Sequence, residues 1–152
     1  MDSRCFDFPN KNDVLLYSIN ACLRDDILNN PEAWNSSTPN FDRFLHYVTG
    51  GDESLIMRIW EIIGYVLTPD NYGRSYFVFQ GVPGSGKSTL ERLISNMFSY
   101  GSVFRIRGDD FGGRFSLQGL EGKAVIIVSD LPGRVFSEDT VSIIKQISGR
   151  DC

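Results

Sequence analysis

The sequence has no uninterrupted apolar run of about 18 residues, the length a membrane-spanning helix needs. Its opening stretch, MDSRCFDFPNKND, lacks both the basic flank and the apolar segment of a secretory signal, so a membrane span and a secretory leader are both excluded as expectations and the cytoplasm is the expected compartment. Cysteine is scarce: Cys5, Cys22 and Cys152 are too widely scattered for a metal knuckle, and His46 is the single histidine, so no zinc-type ligand cluster can be assembled from spacing. A surplus of positive charge is also missing. Fifteen Lys and Arg face nineteen Asp and Glu, a net charge of −4, which argues against a protein coated with nucleic-acid-binding surface. Repeats and low-complexity tracts are absent.

What is present is the composition of a globular chain. Hydrophobic residues make up 41% and charged residues 22%, with eleven Phe, six Tyr and two Trp, far from the disordered class. A chain of 152 residues buries roughly 70% of its unfolded surface on folding, enough for one sizeable core. The charge is uneven: residues 1–75 sum to −5 and residues 76–152 to +1, so a polyanion site belongs in the second half.

The turn formers of TPDNYGR divide the chain near residue 70 into an expected N-terminal helical segment, 1–70, and an α/β core, 71–152. Asp13 is placed to cap a helix carrying Leu15, Ile19 and Cys22. Thr38 followed by Pro39 opens a second helix, with Phe41, Phe44, Leu45 and Val48 on one stripe and Gly50-Gly51 as its stop. A third starts at Asp52 and is apolar on more than one face through Trp60 and Ile63, which predicts burial between neighbours, with Trp34, Phe44 and Trp60 as core partners. Beyond the divide, Tyr76-Phe77-Val78-Phe79 predicts a buried strand. Leu90, Leu93, Ile94, Met97 and Phe98 mark one face of a helix ended by Gly101. Residues 102–106 predict a strand, 107–122 an irregular excursion, and Ala124–Val128 a parallel strand buried on both faces. Ser137 caps a last helix with Val141, Ile144 and Ile147.

Between the first of these strands and its helix lies Gly81-Val82-Pro83-Gly84-Ser85-Gly86-Lys87-Ser88-Thr89, which fits G-x-x-x-x-G-K-S/T in the context its chemistry requires. Glycines let the backbone curl with its N–H groups inward, and the helix that follows adds unsatisfied donors and the positive end of its dipole. The expected guest is a polyphosphate. Lys87 is placed to neutralise β- and γ-phosphate charge, and the Ser88 hydroxyl to ligate a Mg²⁺ ion that bridges them. Such a site also needs a carboxylate at the end of a neighbouring strand, and Asp130, 43 positions after Lys87, is the candidate for holding the metal and the attacking water. ATP and Mg²⁺ are therefore the expected ligands, with Lys87 and Asp130 as the catalytic pair.

These features together resemble the superfamily 3 helicases, in particular the primase-helicases of phages, plasmids and large DNA viruses. The resemblance covers about residues 34–151 and rests on four stretches in the family's order: FDRFL…GGDESLIMRIWEIIGYVLTP, the loop GVPGSGKST, FSLQGLEGK leading into VIIVSD, and IKQISGRD. It implies an α/β P-loop NTPase fold, an AAA+-like three-layer core with a parallel sheet, preceded by a small helical segment. It also implies an ATP-driven motor of DNA replication that translocates on single-stranded DNA, assembled as a homo-hexamer and working with a primase domain or protein. By the same resemblance Lys145 begins a DNA-associated motif. Two departures stand out: the family shows two glycines where this chain has Gly149-Arg150-Asp151, and many members carry Glu at the place of Asp130. The family's sensor asparagine and arginine finger fall after Cys152, so the stretch is expected to be truncated and to bind nucleotide with little hydrolysis, the arginine being worth roughly 10³–10⁵ in rate. Arg105, Arg107 and Arg114 give the excursion local positive charge suited either to phosphate backbone or to plain surface duty.

Two other readings compete. Asn10-Lys11-Asn12-Asp13 and Asp130-Leu131-Pro132-Gly133 match N-K-x-D and D-x-x-G of a circularly permuted GTPase, although Phe6–Pro9 is a poor strand to precede the former. A non-catalytic module whose oligomerisation depends on nucleotide is the other.

Overall fold

The computed structural model describes residues 18–20, 30, 38–68, 73–113, 117–131 and 137–149. Their order is α1 (Pro39–Thr49), α2 (Glu53–Val66), α3 (Lys87–Asn96), β1 (Val103–Arg107), β2 (Val125–Ser129) and α4 (Glu138–Ser148). Expectations resting on Asp13, Leu15, Cys22, Trp34, Arg114 and Asn10–Asp13 lie outside the described residues.

The helix boundaries follow local chemistry. Pro39 occupies the first turn of α1 after Thr38, and Gly50 ends it in the left-handed conformation (φ 65°). The Thr38 hydroxyl does not cap; it donates instead to the Asp42 carboxylate at 3.3 Å. Asp52 does cap α2, its Oδ1 accepting from the amides of Ser54 and Leu55 at 2.9 and 3.3 Å and from the Ser54 hydroxyl at 2.6 Å. Ser137 caps α4 by accepting from the Thr140 amide at 3.2 Å.

The core is shared by the helical pair and the helix after the glycine-rich turn. Ile63 of α2 meets Leu90, Ile94 and Phe98, and Phe41, Phe44, Ile59, Leu93, Met97, Val103 and Val125 pack around them. This is the stripe expected of α3, although the helix itself ends at Asn96 rather than at Gly101. From that end the chain turns through Ser99–Ser102, the Ser102 amide donating to Ser99 O at 3.1 Å, and enters β1. β1 pairs parallel with β2, Val103 opposite Val125 and Arg107 opposite Ser129.

Four expectations are corrected. Residues 74–80 form no strand, and Tyr76 and Val78 are 64% and 61% exposed. The described sheet contains only β1 and β2, so it offers this segment no ladder; Phe77 instead meets Tyr65 of α2 edge-on at 5.5 Å. Ile19, expected in a helix, forms an antiparallel bridge with Phe98, and the Asn20 side-chain amide donates to Phe98 O at 2.9 Å, satisfying a carbonyl just beyond α3. α2 buries one face only: Ile63 is enclosed, while Leu55, Met57 and Trp60 are exposed. β2 is half-buried along its length rather than enclosed, as a sheet of two strands dictates. Among the described residues no helix is long and apolar enough to cross a membrane.

Candidate phosphate-binding site

The segment 81–89 is shaped by its own sequence. The Ser85 amide donates to Val82 O at 3.2 Å, with Pro83 and Gly84 between them and Gly84 at φ 79°, the pattern of a type II turn. Gly86 then stands at the N-cap of α3 with φ 86°, its carbonyl accepting from Thr89 and Leu90, both at 3.0 Å. A side chain at this position would be strained by that φ, and a Cβ would lie 2.7 Å from Val48 Cγ1. No described residue accepts from the amides of Gly84, Gly86, Lys87 or Ser88. Those of Gly86, Lys87 and Ser88 are donors that a helix N-terminus leaves open, and Gly84 adds one from the turn before it.

Lys87 lies across the turn. Its Nζ donates to Gly81 O at 2.7 Å, Val82 O at 2.8 Å and Ser85 Oγ at 3.1 Å. The ammonium group is thus held by acceptors that the loop itself supplies. Ser88 and Thr89 are exposed in the first turn of α3, and no described residue engages the Ser88 hydroxyl.

Asp130 follows the last residue of β2 and is exposed. Its φ of 51° puts it in the left-handed region, which aspartate tolerates better than most residues. Arg105, midway along β1, ion-pairs with Glu91 and donates to Ser95 Oγ at 2.6 Å, which sets the middle of β1 beside the middle of α3.

The other basic candidates separate. Arg105 is engaged with α3 and is not a free phosphate contact. Arg107 faces Asp109 at 3.9 Å on the surface. Lys145 is exposed on α4, where with Glu138, Val141 and Ser142 it lines a shallow depression of about 300 Å³. The excursion after β1 is anchored at Phe111, which is buried and whose carbonyl accepts from the Thr140 hydroxyl at 3.2 Å. Sequence reasoning missed this anchor and the Arg105 link, since neither follows a periodicity.

Residues 79–152 match a family model described as a family of unknown function (DUF5906). The match takes in the loop, both strands and α4 and leaves α1 and α2 outside. No curated protein is significantly similar to the chain. Among the described residues no group of three or more His, Cys, Asp or Glu is placed to hold a metal ion. Ser88 and Asp130 nevertheless suit Mg²⁺, which prefers oxygen donors and is commonly held by one or two side chains together with phosphates and water.

Proposed function

We propose that residues 81–89 bind the triphosphate of ATP with Mg²⁺, and that the chain supplies the P-loop core of an ATP-driven DNA helicase of the replicative primase-helicase type. The observation that carries the phosphate reading is the coincidence of unpaired amides at Gly84, Gly86, Lys87 and Ser88 with the Lys87 ammonium group held over the same turn. A polyphosphate satisfies those donors, and Lys87 exchanges its carbonyl partners for phosphate oxygens of full charge, a stronger contact. Ser88 and Asp130 would hold Mg²⁺, which supplies charge neutralisation between the phosphates. In this reading the Asp130 carboxylate would also orient an attacking water.

Helicase activity, a homo-hexameric ring, single-stranded DNA and a primase partner rest on the resemblance carried by GVPGSGKST, VIIVSD and IKQISGRD. The deciding experiment is isothermal titration of the full chain with MgATP and MgGTP, beside Lys87→Ala. Saturable ATP binding that falls about 10- to 100-fold in Lys87→Ala supports the reading. No heat with either nucleotide refutes it, and a preference for GTP turns it to the guanine-nucleotide class.

A further inference from the structure

We propose that Phe44 and Val48 of α1 are positioning residues for the phosphate loop, so that the helical pair outside the loop's own layer is part of the nucleotide site. The proposal rests on the phosphate reading above. Its starting point is an asymmetry between two glycines of the loop. A Cβ on Gly84 would meet nothing within 4 Å, so that end of the turn is open. A Cβ on Gly86 would lie 2.7 Å from Val48 Cγ1 and 3.1 and 3.2 Å from Phe44 Cε2 and Cζ. Two side chains of α1 thus press against the backbone at the N-cap of α3, closer than any residue with a side chain tolerates.

That backbone is where the open donors are. The amides of Gly86 and Lys87 lie in the peptide planes on either side of the Gly86 Cα, at φ 86°, and that of Ser88 follows one residue on. Elsewhere the turn is held by its own bonds, Ser85 to Val82 and Lys87 Nζ to Gly81, Val82 and Ser85. The Lys87 bonds must break when its ammonium moves to phosphate, which leaves the Phe44 and Val48 contact as the fixed reference for Gly86. The contact is itself rigidly backed: Phe44 stacks with Phe41 at 6.2 Å and 20°, and Phe41 meets Trp60 of α2 edge-on at 5.0 Å. Packed aromatic side chains transmit a displacement because a close-packed contact does not yield smoothly. By reciprocity, a bound polyphosphate seats α1 more firmly.

The test compares MgATP affinity and melting temperature in the full chain for Val48→Ala, Phe44→Leu, Val48→Thr and Met97→Ala. Met97 packs on the same core near the other end of α3, about 16 Å along the helix from Gly86. Expected are roughly 3- to 30-fold weaker ATP binding in Val48→Ala and Phe44→Leu, affinity restored to within about twofold in the shape-preserving Val48→Thr even where its melting point stays low, and unchanged affinity in Met97→Ala despite a comparable fall in stability. Should Val48→Ala fail to fold, Phe44→Leu carries the comparison. Equal affinity in wild type, Val48→Ala and Phe44→Leu overturns the proposal while leaving the phosphate reading standing, as does a loss in Met97→Ala as large as theirs. Absence of ATP binding by the wild type overturns the phosphate reading itself, and this inference with it.

Discussion

Arg105 of β1 reaches across to α3, ion-pairing with Glu91 and donating to the Ser95 hydroxyl at 2.6 Å. This bridge ties the strand pair to the helix that follows the glycine-rich turn. Arg105 is half-exposed, so the pair is solvent-screened and its worth lies at the upper end of a surface ion pair.

Arg105→Ala is expected to destabilise the chain by about 1 kcal/mol, which for a domain of this size lowers the melting temperature by roughly 2–4 °C. Arg105→Lys keeps the charge but not both bonds of the planar fork, and is expected to lose about half as much. Ser95 keeps a partner in either variant, because its hydroxyl also donates to Glu91 O at 2.8 Å. Thermal melts at low and high salt check this: raising salt should narrow the gap between wild type and Arg105→Ala, and an unchanged gap would show that packing rather than charge carries the bridge.

Asp52 gives a pH-dependent prediction. Its carboxyl is held below its ordinary value of 3.8, first by the Ser54 hydroxyl and then by the amides of Leu55 and Ser54. A depressed carboxyl contributes stability that is present above 3.8 and is lost as the pH falls through the lower value it has in the folded chain. Asp52→Ala is expected to lower the melting temperature by about 2–4 °C at neutral pH. Asp52→Asn retains a capping oxygen without a titrating group, so the difference between wild type and Asp52→Asn should shrink on acidification. A difference independent of pH would assign the cap to shape alone.

The elements that could be read ahead of the structure are those fixed by neighbours in sequence. Thr38-Pro39 and Gly50 bound α1, Asp52 opens α2, Ser137 opens α4, and the three-and-four spacing from Leu90 to Phe98 became the core face around α3. The glycine-rich turn from Val82 to Ser85 was legible for the same reason, since it is built by adjacent residues. Tyr76–Phe79 was not: β-propensity reports a side chain's fit to a sheet, and pairing requires a neighbour that the described strands do not offer. Ile19 went to a bridge with Phe98, a contact across 79 positions that helical spacing cannot register. The press of Val48 on Gly86 was equally hidden, because α1's stripe shows which face is apolar and not what it covers.

Lys87 separates binding from folding. Its ammonium group bonds only to exposed loop acceptors and the Ser85 hydroxyl, so no buried charge or buried partner is orphaned by its removal. Lys87→Ala is therefore expected to leave the melting temperature of the nucleotide-free chain within about 2 °C of wild type, the range of surface substitutions, while removing the increase in melting temperature that MgATP gives the wild type. Scanning calorimetry with and without MgATP measures both quantities in one experiment. A large loss of stability without nucleotide would mean that the lysine is a structural latch of the turn.

The anchor of the excursion after β1 is the contact between Gly112 and Thr140. Gly112 has φ 115° and approaches so closely that a Cβ would lie 2.6 Å from Thr140 Oγ1, while that hydroxyl, on a buried residue, donates to Phe111 O. Two substitutions probe the two halves of this arrangement. Thr140→Val keeps the volume but removes the donor, leaving the Phe111 carbonyl short of a partner at a cost of about 1–3 kcal/mol. Gly112→Ala adds steric overlap to an unfavourable φ, and the overlap is with the side-chain hydroxyl, so the substitution should displace the turn from the start of α4 rather than disturb the core around Ile63 and Leu90. Limited proteolysis distinguishes these effects: both variants should be cut faster within residues 107–122, with α1 to α3 retaining their resistance. Uniformly faster cleavage along the chain would instead mean that this turn and the core around α3 unfold together, which would make the Phe111 anchor a support of the phosphate-loop layer itself.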